Sequence, residues 1–73
     1  MNMRETIEKA TKAVAEWNEK YVVGQWVHYN QAAGLQVTTR TTSEAKLVGF
    51  EAVVYIKDAN GHRPLGKMTP MRR

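Results

Sequence analysis

The sequence predicts an α+β fold: an N-terminal amphipathic helix packed on a small antiparallel β-barrel of four to five strands. Three observations carry the prediction. Apolar residues recur at helical spacing through the first twenty positions. From Gln25 onward, short runs rich in β-branched and aromatic residues are separated by Gly, Asn and Pro. A length of 73 residues allows one small core, so the strands are expected to bend around it rather than open into a wide layered sheet. A single domain is expected over 1–73, with the helix at about 3–20, the barrel at about 24–69 and a basic tail at 70–73.

In the first segment Ile7, Ala10, Val14, Trp17 and Tyr21 form the apolar stripe. The other face carries Glu5, Glu8, Lys9, Lys12, Glu16, Glu19 and Lys20. Glu5–Lys9, Glu8–Lys12 and Glu16–Lys20 stand at i,i+4 in the favourable order, each worth a few tenths of a kcal/mol. Asn2 followed by Glu5 resembles a capping box. Val22 and Val23 are β-branched, and Gly24 closes the segment. Three full heptads are absent, so the stripe is expected to dock on the following sheet, with self-association as the other use of the same pattern.

The strands follow in order. Gln25–Asn30 alternates, with Val27 and Tyr29 on one side and Trp26, His28 and Asn30 on the other. Gln31–Gly34 is a connecting loop, and Leu35–Thr41 returns with Leu35, Val37 and Thr39 on one face, completing an antiparallel hairpin. Thr42–Ala45 breaks the alternation as a turn or a short helical start. Lys46–Lys57 reads as one long stretch bent at Gly49, where a bulge or sharp bend is expected. Ala52–Ile56 is the most apolar run and is expected to be covered on both sides. Asp58-Ala59-Asn60-Gly61 signals a hairpin turn. His62–Gly66 is a short return strand, and Pro64 places it at a sheet edge because proline cannot donate to a ladder. Lys67–Met71 adds a last short strand, and Arg72 and Arg73 are expected to fray. The economical closure of these pieces is an SH3-like barrel, with the helix over one opening or face. A flat sheet with one packed helix is the alternative.

The order of features resembles a group of small phage, prophage and bacterial accessory proteins. In that group a helix ending in Trp-Asn leads to Val-Gly, a Val-x-Tyr strand, a Thr-rich strand, a Ser-Glu-Ala turn and a Val-Val strand. The matching residues here are Trp17-Asn18, Val23-Gly24, Val27 and Tyr29, Thr41, Ser43-Glu44-Ala45, Val53-Val54 and Leu65, spanning about 14–70. The resemblance implies an SH3-like barrel and a phage or prophage origin, and it assigns no catalytic or binding residue.

Composition narrows the function classes. Eleven Lys+Arg against seven Asp+Glu give +4 and a pI near 9.7. Residues 1–20 hold four basic and four acidic side chains, so the excess lies in 21–73. Without cysteine there is no disulfide or thiolate zinc site, and a reducing, cytoplasmic setting is expected. No apolar run approaches the roughly 20 residues of a membrane helix, and no signal peptide or membrane partner is expected. His28 and His62 with Asp58 form no recognisable ligand set, so neither metal nor cofactor is expected. Ser43 has no local base and no phosphate-cradling glycine loop is present, so the chain is read as non-enzymatic.

What remains is surface. Arg40, Lys46, Lys57, Arg63 and Lys67 come from neighbouring strands or connections and are expected to converge, with Trp26, His28, Tyr55 and Phe50 as planar groups for stacking. The binding surface is read as Trp26, His28, Arg40, Lys46, Lys57, Arg63 and Lys67, with nucleic acid as its partner. The competing reading is a protein-interaction module that binds or inhibits a host or phage protein, or an assembly component. Homodimerisation through the helix or the edge near Pro64 is also open.

Overall fold

The computed structural model describes residues 2–31 and 34–71. Helix α1 runs Met3–Lys20, as its apolar spacing requires. Asn2 caps it: its side-chain oxygen accepts the Glu5 N–H at 2.9 Å, satisfying one of the orphan donors of the first turn. The last turn ends with the Tyr21 N–H on the Trp17 carbonyl at 2.8 Å, and Gly24 takes a φ of 100° to turn the chain into the first strand. The expected Glu-to-Lys pairs do not close among the described residues. The ion pair present is Lys12–Glu16, 3.8 Å apart and exposed. Water competes well with such surface pairs, so their pattern does little to fix geometry.

Among the described residues six short strands follow: β1 Trp26–Asn30, β2 Gln36–Arg40, β3 Lys46–Val48, β4 Glu51–Val54, β5 Arg63–Pro64 and β6 Met68–Pro70. A 3₁₀ turn, Leu65–Lys67, separates the last two. They form two antiparallel three-stranded sheets, ordered β2-β1-β6 and β3-β4-β5. The fold is therefore α+β, one helix with two small sheets. The sheets meet where β2 runs out. There Thr41 bridges Ile56, the Lys57 N–H donates to the Arg40 carbonyl at 3.0 Å, and the Thr42 N–H donates to the Tyr55 carbonyl at 2.9 Å.

One core joins α1, β1, β4, the 3₁₀ turn and β6. Trp17 packs with Val27, Tyr29, Ala45, Val54, Ile56, Leu65 and Met68, and its ring lies tilted against Tyr21 at 4.6 Å between centroids. The larger aliphatic side chains among these each contribute about 1.5–3 kcal/mol when fully removed from water. The Asn18 amide adds a polar tie. Its Nδ2 donates to the Ala45 carbonyl at 3.0 Å, and its Oδ1 accepts the Ala45 N–H at 2.8 Å. A helix side chain thus stands in for a strand at the outer edge of the segment leading into β3. Val53 and Val54 point to opposite faces of β4 and both are 0% exposed, so this strand is covered on both sides.

Several local expectations are revised. Gly49 is not a bulge in a continuous strand: Val48 pairs with Glu51, and Gly49-Phe50 is a two-residue hairpin turn. Its φ of 61° at Gly49 suits the first central position of a type II′ turn, where glycine is favoured. The turn after β4 is wider than Asn60-Gly61 implies, since Val54 pairs with Arg63. Ile56 leaves β5 to bridge Thr41, which lengthens the connection, and positive φ falls on Asp58 and Gly61. Leu35 and Val37 share the face of Thr39 yet remain exposed, because β2 is an edge strand whose start runs past the core. The chain is held beyond residue 70: the Met71 N–H donates to the Trp26 carbonyl at 2.9 Å, and Gln25 Nε2 donates to the Met71 carbonyl at 3.0 Å. The expected fraying of Arg72 and Arg73, and part of the 31–34 loop, lie outside the described residues.

Candidate nucleic-acid interface

The strand alternation that buries Val27 and Tyr29 turns Trp26, His28 and Asn30 to the other face of β1. Register then decides what stands beside them. Trp26 is opposite Arg40, His28 opposite Thr38 and Asn30 opposite Gln36 on β2, while Thr69 of β6 stands beside His28. Each cross-strand pair interacts. The Arg40 guanidinium carbon sits 5.9 Å from the centre of the Trp26 ring, a cation–π contact worth about 0.5–1 kcal/mol at an exposed site. His28 Nδ1 and Thr38 Oγ1 are 3.1 Å apart, and Gln36 Nε2 donates to Asn30 Oδ1 at 3.1 Å. The indole remains 45% exposed. None of these seven positions is acidic, so the face offers a planar ring, an imidazole, a guanidinium and neutral hydrogen-bonding groups.

The remaining expected residues divide. Lys57 is next to Arg40 through its backbone hydrogen bond and, with Arg63, lines a groove of about 370 Å³ in the fork between β2 and residues 56–60. Lys46 is elsewhere, its Nζ 5.7 Å from the centre of the Tyr55 ring. Lys67 is exposed on the 3₁₀ turn between β5 and β6. Trp26, His28 and Arg40 therefore come together on one face, Lys57 and Arg63 share a groove across the β2 edge from it, and Lys46 and Lys67 stand apart. Of the other planar groups, Tyr55 is half-buried and Phe50 is exposed at the tip of the β3–β4 hairpin.

Sequence reasoning missed the polar partners Thr38, Gln36 and Thr69. Their signal was available: once β1 and β2 are paired across a short loop, parity places Gln36, Thr38 and Arg40 beside Asn30, His28 and Trp26. It also missed Asn18, whose role depends on a partner 27 residues away. The Ser43 hydroxyl donates to the Glu44 carbonyl at 2.9 Å and accepts the Tyr55 N–H at 3.2 Å, which makes it a bracket for the turn. Among the described residues no group of three His, Asp or Glu side chains is placed to hold a metal ion, and no helix is long and apolar enough to cross a membrane. No family model, curated protein or solved structure matches the chain.

Proposed function

We propose that this chain is a small non-enzymatic binding module, of the phage or prophage accessory type, that engages single-stranded nucleic acid on the outer face of the β2-β1-β6 sheet. The observation that supports this best is the acid-free face on which Arg40 lies over the exposed Trp26 ring, with His28 and the neutral side chains continuing along β1. Stacking on such a ring tolerates any base, and a guanidinium beside it answers the phosphate, so the chemistry suits unpaired strands. The scaffold reading is an SH3-like barrel. Its support is the bridge between the sheets at Thr41–Ile56 and the 3₁₀ turn between β5 and β6. A cytoplasmic address belongs to the same proposal and agrees with the lack of cysteine.

The test is titration with single- and double-stranded DNA and RNA at low and moderate salt. Trp26→Ala is expected to weaken single-strand binding by about tenfold or more, since one stacked base is worth about 1–3 kcal/mol. The variant should melt as the wild type does, because the ring is outside the core. No affinity at about 50 mM salt, or affinity indifferent to salt, refutes the proposal. The competing reading, recognition of a host protein, has its own support in the exposed Leu47, Val48 and Phe50 of the β3–β4 hairpin. Protein partners that survive nuclease treatment of a lysate, together with absent oligonucleotide binding, would favour it.

A further inference from the structure

A second cluster of planar and cationic groups lies at the end of the other sheet, where the chain leaves β4 and enters β5. The Tyr55 ring has Lys46 Nζ 5.7 Å from its centre and His62 packed edge-on at 6.1 Å and 88°. Arg63 is anchored beside them, its Nη1 donating to the Asn60 carbonyl at 2.7 Å and to the His62 carbonyl at 3.1 Å. The cluster has the same ingredients as the Trp26 face, namely aromatic rings flanked by cations. None of its four members is acidic.

The two clusters are connected. Arg40, which covers Trp26, accepts the Lys57 N–H through its carbonyl at 3.0 Å. Lys57 and Arg63 line the same 370 Å³ groove together with Asp58, on the Tyr29, Val37 and Thr39 side of β2. A strand therefore reaches it from the Trp26 face around the β2 edge, and Arg63 is bonded to His62. The groove also has hydrogen-bonding capacity of its own. Arg40 turns its carbonyl away from β1 to reach Lys57, and antiparallel alternation turns the backbone of Thr38 the same way. The Thr38 N–H and C=O therefore point toward the fork where the sheets separate.

We propose that the Lys46–Tyr55–His62–Arg63 cluster is a second base-and-phosphate subsite, joined to the Trp26 face through the Lys57 groove, so that the occupant is a single strand lying across both sheets. This rests on the reading of the Trp26 face as a nucleic-acid surface and adds to it a length requirement. One planar platform is satisfied by a very short oligomer. Two platforms separated by a groove need a strand of at least about four nucleotides, near the lower end of the site sizes of small barrels. A regular duplex is a poor occupant, because its bases are not free to reach either ring.

The experiment compares labelled oligothymidylates of about three and about twelve nucleotides by fluorescence anisotropy, using the full chain and the variants Lys46→Ala and His62→Ala. Both side chains are exposed, so the variants are expected to keep the wild-type melting temperature. Lys9→Ala, on the exposed side of α1, controls for the loss of any single charge. The long strand is expected to bind at least tenfold tighter than the short one. Its salt dependence should also be steeper by about two, as three further cations meet phosphate at about 0.7 per contact. Lys46→Ala and His62→Ala are expected to weaken the long strand several-fold and leave the short strand unaffected, while Lys9→Ala is expected to change neither. Equal affinity of the two strands overturns the proposal, as do wild-type long-strand affinity in both variants or equal weakening of both strands. In each of these cases the Trp26 face still stands as a binding site. Absence of wild-type binding to either strand overturns the parent reading, and this inference falls with it.

Discussion

Replacing Asn18 with Ala removes a side chain that ties α1 to the strand edge by polar bonds in both directions. The amide makes two hydrogen bonds to the Ala45 backbone, at 2.8 and 3.0 Å, in a partly buried setting. A hydrogen bond of this kind is worth about 1 kcal/mol net, and more when the orphaned partner stays out of water. Ala45 is only 4% exposed, so the loss should total about 2–3 kcal/mol. Alanine is the better helix former, which returns about 0.6 kcal/mol. The net cost is about 2 kcal/mol, against a total stability of about 4–11 kcal/mol for a chain this long. The melting temperature should fall by about 8–16 °C. Circular dichroism melting measures the cost, and amide hydrogen exchange locates it. The Ala45 N–H should lose protection more than the Val27 or Val54 amides do. A variant that melts with the wild type, or whose Ala45 amide stays equally protected, refutes the clamp and with it this account of how the helix is held.

Trp17→Ala should cost about 3–5 kcal/mol by opening the core beneath the helix, a large share of a total of about 4–11 kcal/mol, and the urea midpoint should fall accordingly. Retention of the wild-type urea midpoint would show that Trp17 is not a core anchor. Arg40→Ala should leave the melting temperature unchanged and flatten the salt dependence of single-strand binding by about 0.7. An unchanged slope would show that the guanidinium contacts no phosphate. Asp58→Asn keeps a residue type that tolerates the positive φ of 64° found there and removes the carboxylate lining the Lys57–Arg63 groove. Affinity for a long single strand should rise about threefold, and a fall would show that the carboxylate serves the site.

The helix was fully legible because its information is local. A five-member apolar stripe, a capping residue and a closing glycine all lie within one continuous segment, and the bounds 3–20 follow. The β1–β2 hairpin was legible for a similar reason, since alternation and a short loop leave little choice of partner or face. Legibility failed where a partner is remote. Lys46–Lys57 carries an unbroken apolar and β-branched signal, and nothing local says whether Gly49 kinks that strand or reverses it. Packing decides, because reversal lets Ala52, Val54 and Ile56 face the core beneath Trp17 while β3 pairs alongside. Ile56 likewise bridges Thr41 rather than extending the ladder to β5, a choice made by the other sheet. Trp17-Asn18 and Ser43-Glu44-Ala45 are separate short motifs in the sequence, and the fold joins them through the Asn18–Ala45 clamp. The candidate site was half legible. Parity placed Trp26 and His28 on the outer face, but convergence of all five cations on one patch required a register between sheets that no sequence pattern encodes.

Position, rather than total charge, is what makes the Trp26 face distinctive. Two of the basic residues, Arg72 and Arg73, lie outside the described residues. Between positions 21 and 71 there are five cations (Arg40, Lys46, Lys57, Arg63, Lys67) and three acids (Glu44, Glu51, Asp58), a sum of only +2. A uniform excess of that size steers a polyanion weakly at physiological salt, where charges further apart than about 8 Å are largely screened. The acids are not spread evenly, however. Glu44 lies in the turn before β3, Glu51 opens β4 and Asp58 follows Lys57, so all three are outside the β2-β1-β6 sheet. Its outer face keeps Arg40 unopposed over a ring that stacks. At short range the ligand meets a cation and an aromatic plane on this face, while Asp58, the carboxylate that borders β2, lines the groove beside Lys57 instead. Binding by this face should depend on contact geometry more than on long-range attraction, which is why substitutions at Trp26 and Arg40 discriminate between mechanisms better than the pI does.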